Sequence, residues 1–213
     1  MIKNNKKTII ICALVMLIPV IAGVILWPQL SDQLPTHWNF KGEVDGYSSK
    51  AFAVFGLNGM LFVFFVICVL ATCIDPKNAN ISKKTFTLVV GIMPLISVYS
   101  NAIVLTAGLG KEPNVMFWVK MLLAIIFIVL GNYVPKMKQS YTVGIKLPWT
   151  LDSEENWNKT HRFAGRIMVV GGFVFLADVF LGFLNSVGAF LIVICLIVLA
   201  PTAYSLIYYL RSR

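Results

Sequence analysis

Charge is what this chain of 213 residues has least of: Asp, Glu, Lys and Arg together make up 13% of it. A soluble domain of this size carries about a quarter. Acid is scarcest, with 9 Asp and Glu against 18 Lys and Arg. Scarce charge excludes a disordered tail, whose chain would be polar throughout. Only 4 cysteines occur, none in a CxxC pair, and there are only 2 histidines. A secreted disulfide scaffold and a zinc site are thereby excluded. What fills the chain instead is apolar: 58% of residues are hydrophobic and the mean hydropathy is +0.82. That much apolar surface cannot hide inside a soluble globule of 23.7 kDa, so a soluble enzyme is excluded too. The net charge of +9 does not indicate nucleic acid, because the basic residues fall where membrane topology would put them.

A helix needs about 20 apolar residues to cross a hydrocarbon core of about 30 Å. Six stretches qualify: Thr8–Trp27, Ala51–Ile74, Thr85–Gly108, Val115–Val134, Gly165–Asn185 and Val187–Leu210. Runs of this length are too long for strands. The sequence therefore predicts an all-α polytopic membrane protein, a bundle of six transmembrane helices embedded in the lipid bilayer. Asn185–Ser186 would join the last two in a tight hairpin. The first stretch has a basic start, as a signal peptide does, but its apolar run is long for that role and reads as an uncleaved span.

Orientation follows from the flanking cations. Lys3, Lys6, Lys7, Lys77, Lys83, Lys84, Lys136, Lys138, Lys146, Lys159, Arg162, Arg166, Arg211 and Arg213 fall on one side, against Lys41, Lys50, Lys111 and Lys120 on the other. Both termini are expected in the cytoplasm. Residues 1–74 would form a two-helix unit with an extracellular loop at 28–50. Residues 75–213 would form a four-helix unit with a cytoplasmic loop at 135–164. Trp27, Trp118, Tyr133, Tyr208 and Tyr209 fall at the boundaries, where aromatic rings prefer to sit. Gly91, Gly108, Gly171, Gly172 and Gly182 are expected to let helices approach closely.

Two loops carry information. In the outer one, Pro35 breaks any continuing helix and Gly42 and Gly46 mark turns. His37, Trp38, Asn39, Asp45 and Tyr47 make it polar and aromatic, a surface that could meet an external ligand. An ordered turn with Trp38 at headgroup depth is the competing reading. In the inner loop, Pro148 and Trp149, flanked by Gly144 and Thr150, suggest a bend held against the bilayer. Asp152-Ser-Glu-Glu would start a short helix. That helix would place Trp157 and His161 on one face and lie on the membrane surface. No nucleophile and base stand together, so no catalysis and no cofactor are expected.

These loops resemble the SdpI family, bacterial immunity proteins against the sporulation-delaying toxin. Leu34-Pro-Thr-His-Trp-Asn with Gly42, Asp45, Gly46 and Lys50 is similar to the small N-terminal domain of unknown function common in that family. Gly131-Asn132, Gly144-Ile145, Pro148-Trp149-Thr150-Leu151, Trp157, Lys159 and His161 resemble the core signature of the family's own domain. The family usually has Arg-Thr where this chain has Lys146-Leu147; lysine keeps the charge but loses the bidentate fork. The resemblance implies a plasma-membrane protein that protects its cell from a secreted, membrane-active peptide toxin. In some members it also implies a signal transducer that sequesters a cytoplasmic repressor.

Ionisable groups within spans need a partner or a wet cavity. Lys120 and Asp178 are such groups, and Asn58 and Asn101 fall at a similar depth. The expectation is that Lys120 and Asp178 pair while the two asparagines complete a polar cluster beneath the outer loop. Interhelical glue is the competing reading of these residues. A small ion- or solute-coupled membrane transporter, with Asp178 and Lys120 in its path, is the alternative function.

Overall fold

The computed structural model describes residues 1–184 and 186–212. Asn185 of the expected tight hairpin, and Arg213 of the cation count, lie outside the described residues. Contacts divide the chain into two compact units. One takes Met1–Leu70 and Thr87–Trp118; the other takes Ala71–Phe86 and the chain from Val119 onward.

The first unit begins with α1 (Ile2–Leu26), followed by a 3-10 turn at Trp27–Gln29. An antiparallel pair of strands comes next, β1 (Gln33–Trp38) and β2 (Val44–Ser49). A π-helical turn, Phe52–Gly56, leads into α2 (Leu57–Ile74). The greater part of α3 (Lys83–Gly108) and the start of α4 (Val115–Tyr133) complete the unit.

The hairpin is the feature that the composition of the loop does not announce. Its register fixes the role of each residue. Leu34 pairs with Ser48, Pro35 with Tyr47, His37 with Gly46 and Trp38 with Val44, with irregularities on either side of His37. Leu34 is fully buried and joins Leu30, Ala53, Val54, Val104 and Leu105 in one apolar cluster, with Trp38 packed against it. Gly108 makes room for this, since a Cβ there would stand 2.8 Å from the Leu34 side chain. Gly42 has a φ of +82° and makes the turn, as expected. Gly46 does not mark a turn; it is a strand residue whose Cβ would stand 2.8 Å from the Cβ of His37.

The second unit holds the remainder of α4, a 3-10 turn at Val134–Lys136, α5 (Pro148–Asp152), α6 (Glu154–Leu181) and α7 (Val187–Arg211). Ala124, Phe175 and Ile197 are its buried apolar centre. In a membrane, close packing holds helices together more than the hydrophobic effect does, and α6 is cut for it. Gly172 lies against Ile128 and the carbonyl of Ala124, and Gly171 against Ile197. Gly131 and Gly165 press backbone to backbone, a contact that the expected glycine set lacked. Gly91, by contrast, faces open space. Gly182 is not a packing residue; it is the left-handed cap that ends α6.

Two expectations about this unit need correction. Helix α6 begins at Glu154, capped by Ser153 whose side chain accepts from the N–H of Asn156. The surface helix expected from Asp152 onward is not separate: Trp157 and His161 lie in the first turns of the long helix and are fully buried. At its other end α6 stops at Leu181, so the link to α7 is longer than the two-residue hairpin expected. Asp178 therefore lies in the last turn of α6. It stands three residues from the helix end, about 4.5 Å of rise, and not seven residues in, as a span running to Asn185 would place it.

Candidate functional site

The hairpin holds five of the expected contact residues, and its hydrogen bonds explain why it keeps its shape. Asn39 organises the turn. Its Oδ1 accepts from the N–H groups of Lys41 (2.8 Å) and Glu43 (3.1 Å), and its Nδ2 donates to Glu43 at 2.8 Å. Such local bonds are what an Asn contributes to a turn. On the outward face, His37 Nδ1 stands 2.5 Å from Asp45 Oδ1, and their side chains are 72% and 43% exposed. An exposed polar pair of this kind contributes at most about 1 kcal/mol, so its value lies in what it presents. Thr36 and Ser48 link the strands through their hydroxyls at 2.8 Å. Tyr47 is 61% exposed. Trp38, in contrast, is half-buried against the Leu34 cluster and supports the hairpin. Phe40 at the tip is 57% exposed; the sequence reading passed over it, although an aromatic residue beside a turn-making Asn was the available signal. At the hairpin's base, Lys50 donates to the carbonyl of Trp27 (3.3 Å) and lies over its ring.

The intramembrane polar residues form two groups, each bonded within its own unit. Asn58 and Asn101 exchange reciprocal amide bonds of 3.0 Å. Ser97 adds its hydroxyl to Asn58 Oδ1 at 2.9 Å, and Asn58 Nδ2 also donates to the carbonyl of Val54 at 2.8 Å. Both donors and both lone pairs of the Asn58 amide are thus used. Lys120 Nζ lies 2.6 Å from Asp178 Oδ2. The other oxygen of that carboxylate accepts from the N–H of Leu184 at 2.6 Å, while the Asp178 carbonyl accepts from Gly182. Asp178 therefore caps its own helix, and Lys120 ties that cap to α4.

The loop between α4 and α6 is held from three directions within the second unit. Asp75, just past α2, is buried. Its Oδ1 accepts from the N–H of Lys77 at 2.7 Å, and its Oδ2 accepts from the N–H groups of Tyr141 and Thr142 (2.9 Å each) and from the Thr142 hydroxyl (2.6 Å). Burial alone would push this carboxyl up, but the Thr142 hydroxyl and the three N–H groups outweigh it and hold the acid below its usual range. Lys77 donates to Gln139 Oε1. Gln139 Nε2 in turn donates to the carbonyls of Thr150 and Leu151, at 2.8 Å each.

Trp157 and His161 stack with centroids 4.0 Å apart. Trp157 Nε1 donates to the Met137 carbonyl at 2.8 Å. His161 Nε2 accepts from the N–H of Ile145 at 3.0 Å, so Nδ1 carries the proton and donates to the Trp157 carbonyl at 2.8 Å. With both ring nitrogens committed, this histidine serves the fold. Gly144, at a φ of +114°, passes so close that a Cβ would stand 2.5 Å from His161 Nε2. Thr150 accepts from the N–H of Leu147 at 2.8 Å and donates back to the Ile145 carbonyl. Trp149 donates to Ser205 Oγ at 2.8 Å and stacks on Tyr209. Pro148 opens α5, where its missing N–H is harmless. Asn132 and Lys146 stay exposed: Asn132 bonds the carbonyl of Ile128, and Lys146 that of Thr142.

Several residues that carry this network went unsingled in the sequence. Asn156 donates to the Ser205 carbonyl and accepts from the hydroxyls of Ser205 and Thr160. Asp75 had a signal, being the one acid in the short loop after the second span. Gln139 and Ser205 had none, because their partners lie far along the chain.

Comparison with known proteins bears on these regions directly. Residues 136–208 match the SdpI/YfhL protein family. Residues 14–62, which include the hairpin, match a domain of unknown function, DUF1648. The chain is similar to the Immunity protein SdpI of Bacillus subtilis (strain 168). Identity is 25% over 207 residues, covering 97% of this chain and 94% of that protein. No solved structure matches.

Proposed function

Starting from a multi-pass bacterial membrane protein whose residues 136–208 belong to the SdpI/YfhL family, we propose that it confers immunity on its cell against a secreted, membrane-active peptide toxin. The observation that carries this reading is the similarity to an immunity protein along nearly the whole chain rather than across one domain. The cation count argues for both termini in the cytoplasm, with the hairpin outside and residues 135–164 within. In that orientation the outward His37, Asp45, Tyr47 and Phe40 are the groups a peptide meets first. Aromatic side chains flanking a polar pair suit an amphipathic ligand. The 135–164 loop then supports the fold and offers its exposed Lys146 and Asn132 to a cytoplasmic partner such as a repressor. No transport path is proposed for Asp178, since both its oxygens have partners.

The test is protection. A host lacking its own immunity is given this chain and challenged with the sporulation-delaying peptide toxin. Survival supports the reading; killing at wild-type membrane levels of the protein contradicts it. A parallel readout of a repressor-controlled reporter separates signalling from protection.

A further inference from the structure

Helix α6 is longer than a bilayer requires. Its 28 residues run about 42 Å at 1.5 Å per residue, against a hydrocarbon core of about 30 Å. Counting about 20 residues back from Leu181 reaches Arg162. From there, Arg162, Arg166, Val170 and Phe173 follow one another at helical spacing along one face, and all four are exposed. Val170 is 61% exposed and Phe173 55%. Such a face, cationic for one turn and apolar below, matches the change from headgroup to acyl chain.

An arginine at that level is best matched by an anion, and no described residue supplies one. Neither arginine has an ion pair with a described residue. Of the acids of the same unit, Asp75 is buried under its N–H donors, Asp178 holds Lys120, Glu155 holds Lys159, and Asp152, at the end of α5, pairs with neither arginine. Glu154 is two turns away, about 12 Å up the helix. Lys136 adds to the positive field. It follows Pro135, which touches Gly165 where α4 meets α6, and it is exposed.

We infer that Arg162 and Arg166 form a binding site for the phosphate of an anionic phospholipid at the edge of the bilayer. The guanidinium fork fits two phosphate oxygens at once. Arg166, one turn deeper, reaches the same headgroup by extending its side chain toward the surface. Lipid is favoured over a soluble acidic partner because the apolar half of the same face, Val170 and Phe173, belongs among acyl chains.

The test is lipid binding to the purified full chain in neutral detergent, read by native mass spectrometry. Phosphatidylglycerol, phosphatidylcholine, glycerol 3-phosphate and a soluble polyglutamate peptide are titrated separately. Phosphatidylglycerol is expected to bind most tightly, and Arg162→Gln with Arg166→Gln to weaken it about 25-fold, a factor of about five for each cation removed. Unchanged helicity and elution verify the fold of the variant. The Arg162→Lys, Arg166→Lys variant keeps the charge and is expected to lose a few-fold on phosphatidylglycerol and nothing on phosphatidylcholine, a difference that stands even where the glutamine variant does not fold. Equal binding of phosphatidylglycerol by wild type and both variants would overturn the inference. So would equally tight binding of glycerol 3-phosphate or polyglutamate, which would mark the site as one for soluble anions.

Discussion

The hairpin at 33–49 and the segment at 137–161 each carry Gly, Pro, Trp and His, yet they use those residues in opposite ways. In the hairpin, Leu34 and Trp38 are held against the core while His37, Asp45 and Tyr47 are exposed. In the second segment the aromatic pair and the threonine turn inward, while Lys146 and Pro148 stay exposed. Trp157, His161 and Thr150 are fully buried, and Gly144 is the glycine that lets the chain pass over the His161 ring. Similar composition thus produces a display in one region and a clamp in the other. What separates them is whether the polar atoms are already satisfied from within.

That contrast can be broken at the clamp first. Gly144→Ala places a Cβ against His161 and Trp157 at a φ that favours glycine. Strain and overpacking together should cost about 2–5 kcal/mol, read as a collapse in thermal stability or membrane yield. Wild-type stability for this variant would remove the clamp from the account.

Breaking the buried ion pair comes next. Lys120→Met alone leaves Asp178 uncompensated and should cost about 3–5 kcal/mol. Adding Asp178→Asn, which keeps an acceptor for the Leu184 N–H, should recover most of the loss in detergent melting curves. A double variant no better than the single would show that the two residues act separately.

Asp75 gives the clamp a pH signature. Its carboxyl titrates lower when folded than when unfolded, so its contribution is complete above the unfolded value near 4 and fades as pH falls through the native one. Stability should therefore be flat in this respect above about pH 5 and decline in acid. Asp75→Asn should lower stability at neutral pH and flatten the acid limb. An unchanged acid limb would show that other carboxylates govern it.

The smallest effect on stability belongs to the display. His37→Ala or Asp45→Ala breaks an exposed pair and should shift stability by no more than about 1 kcal/mol. A larger loss would mean that the hairpin depends on this pair as the other region depends on Asp75.

Much of this was legible because membranes simplify the problem. Six apolar runs of the right length give six helices, and α3, α4 and α7 fall within two residues of the runs that announce them. The start of α6 was not legible, because its first turns are polar and still helical: Trp157, Thr160 and His161 are buried by the loop that folds over them, not by lipid. The hairpin was hidden for a related reason. Val-Asp-Gly-Tyr-Ser-Ser carries little strand signal of its own, and its pairing comes from Leu34 being seated in the helix core. Lys120 and Asp178 could be paired on paper because a charge in a span demands a partner. The bond from Asp178 to Leu184 could not, since it depends on where α6 ends.

The most direct measurement tests the displaying region by protection and melting together. Cells producing a Phe40→Ala, Tyr47→Ala variant at wild-type membrane level, with an unchanged melting curve, are challenged with the peptide toxin. The expected result is loss of protection by a protein that is still folded. Survival equal to wild type would contradict the assignment of the hairpin as the surface that meets the peptide.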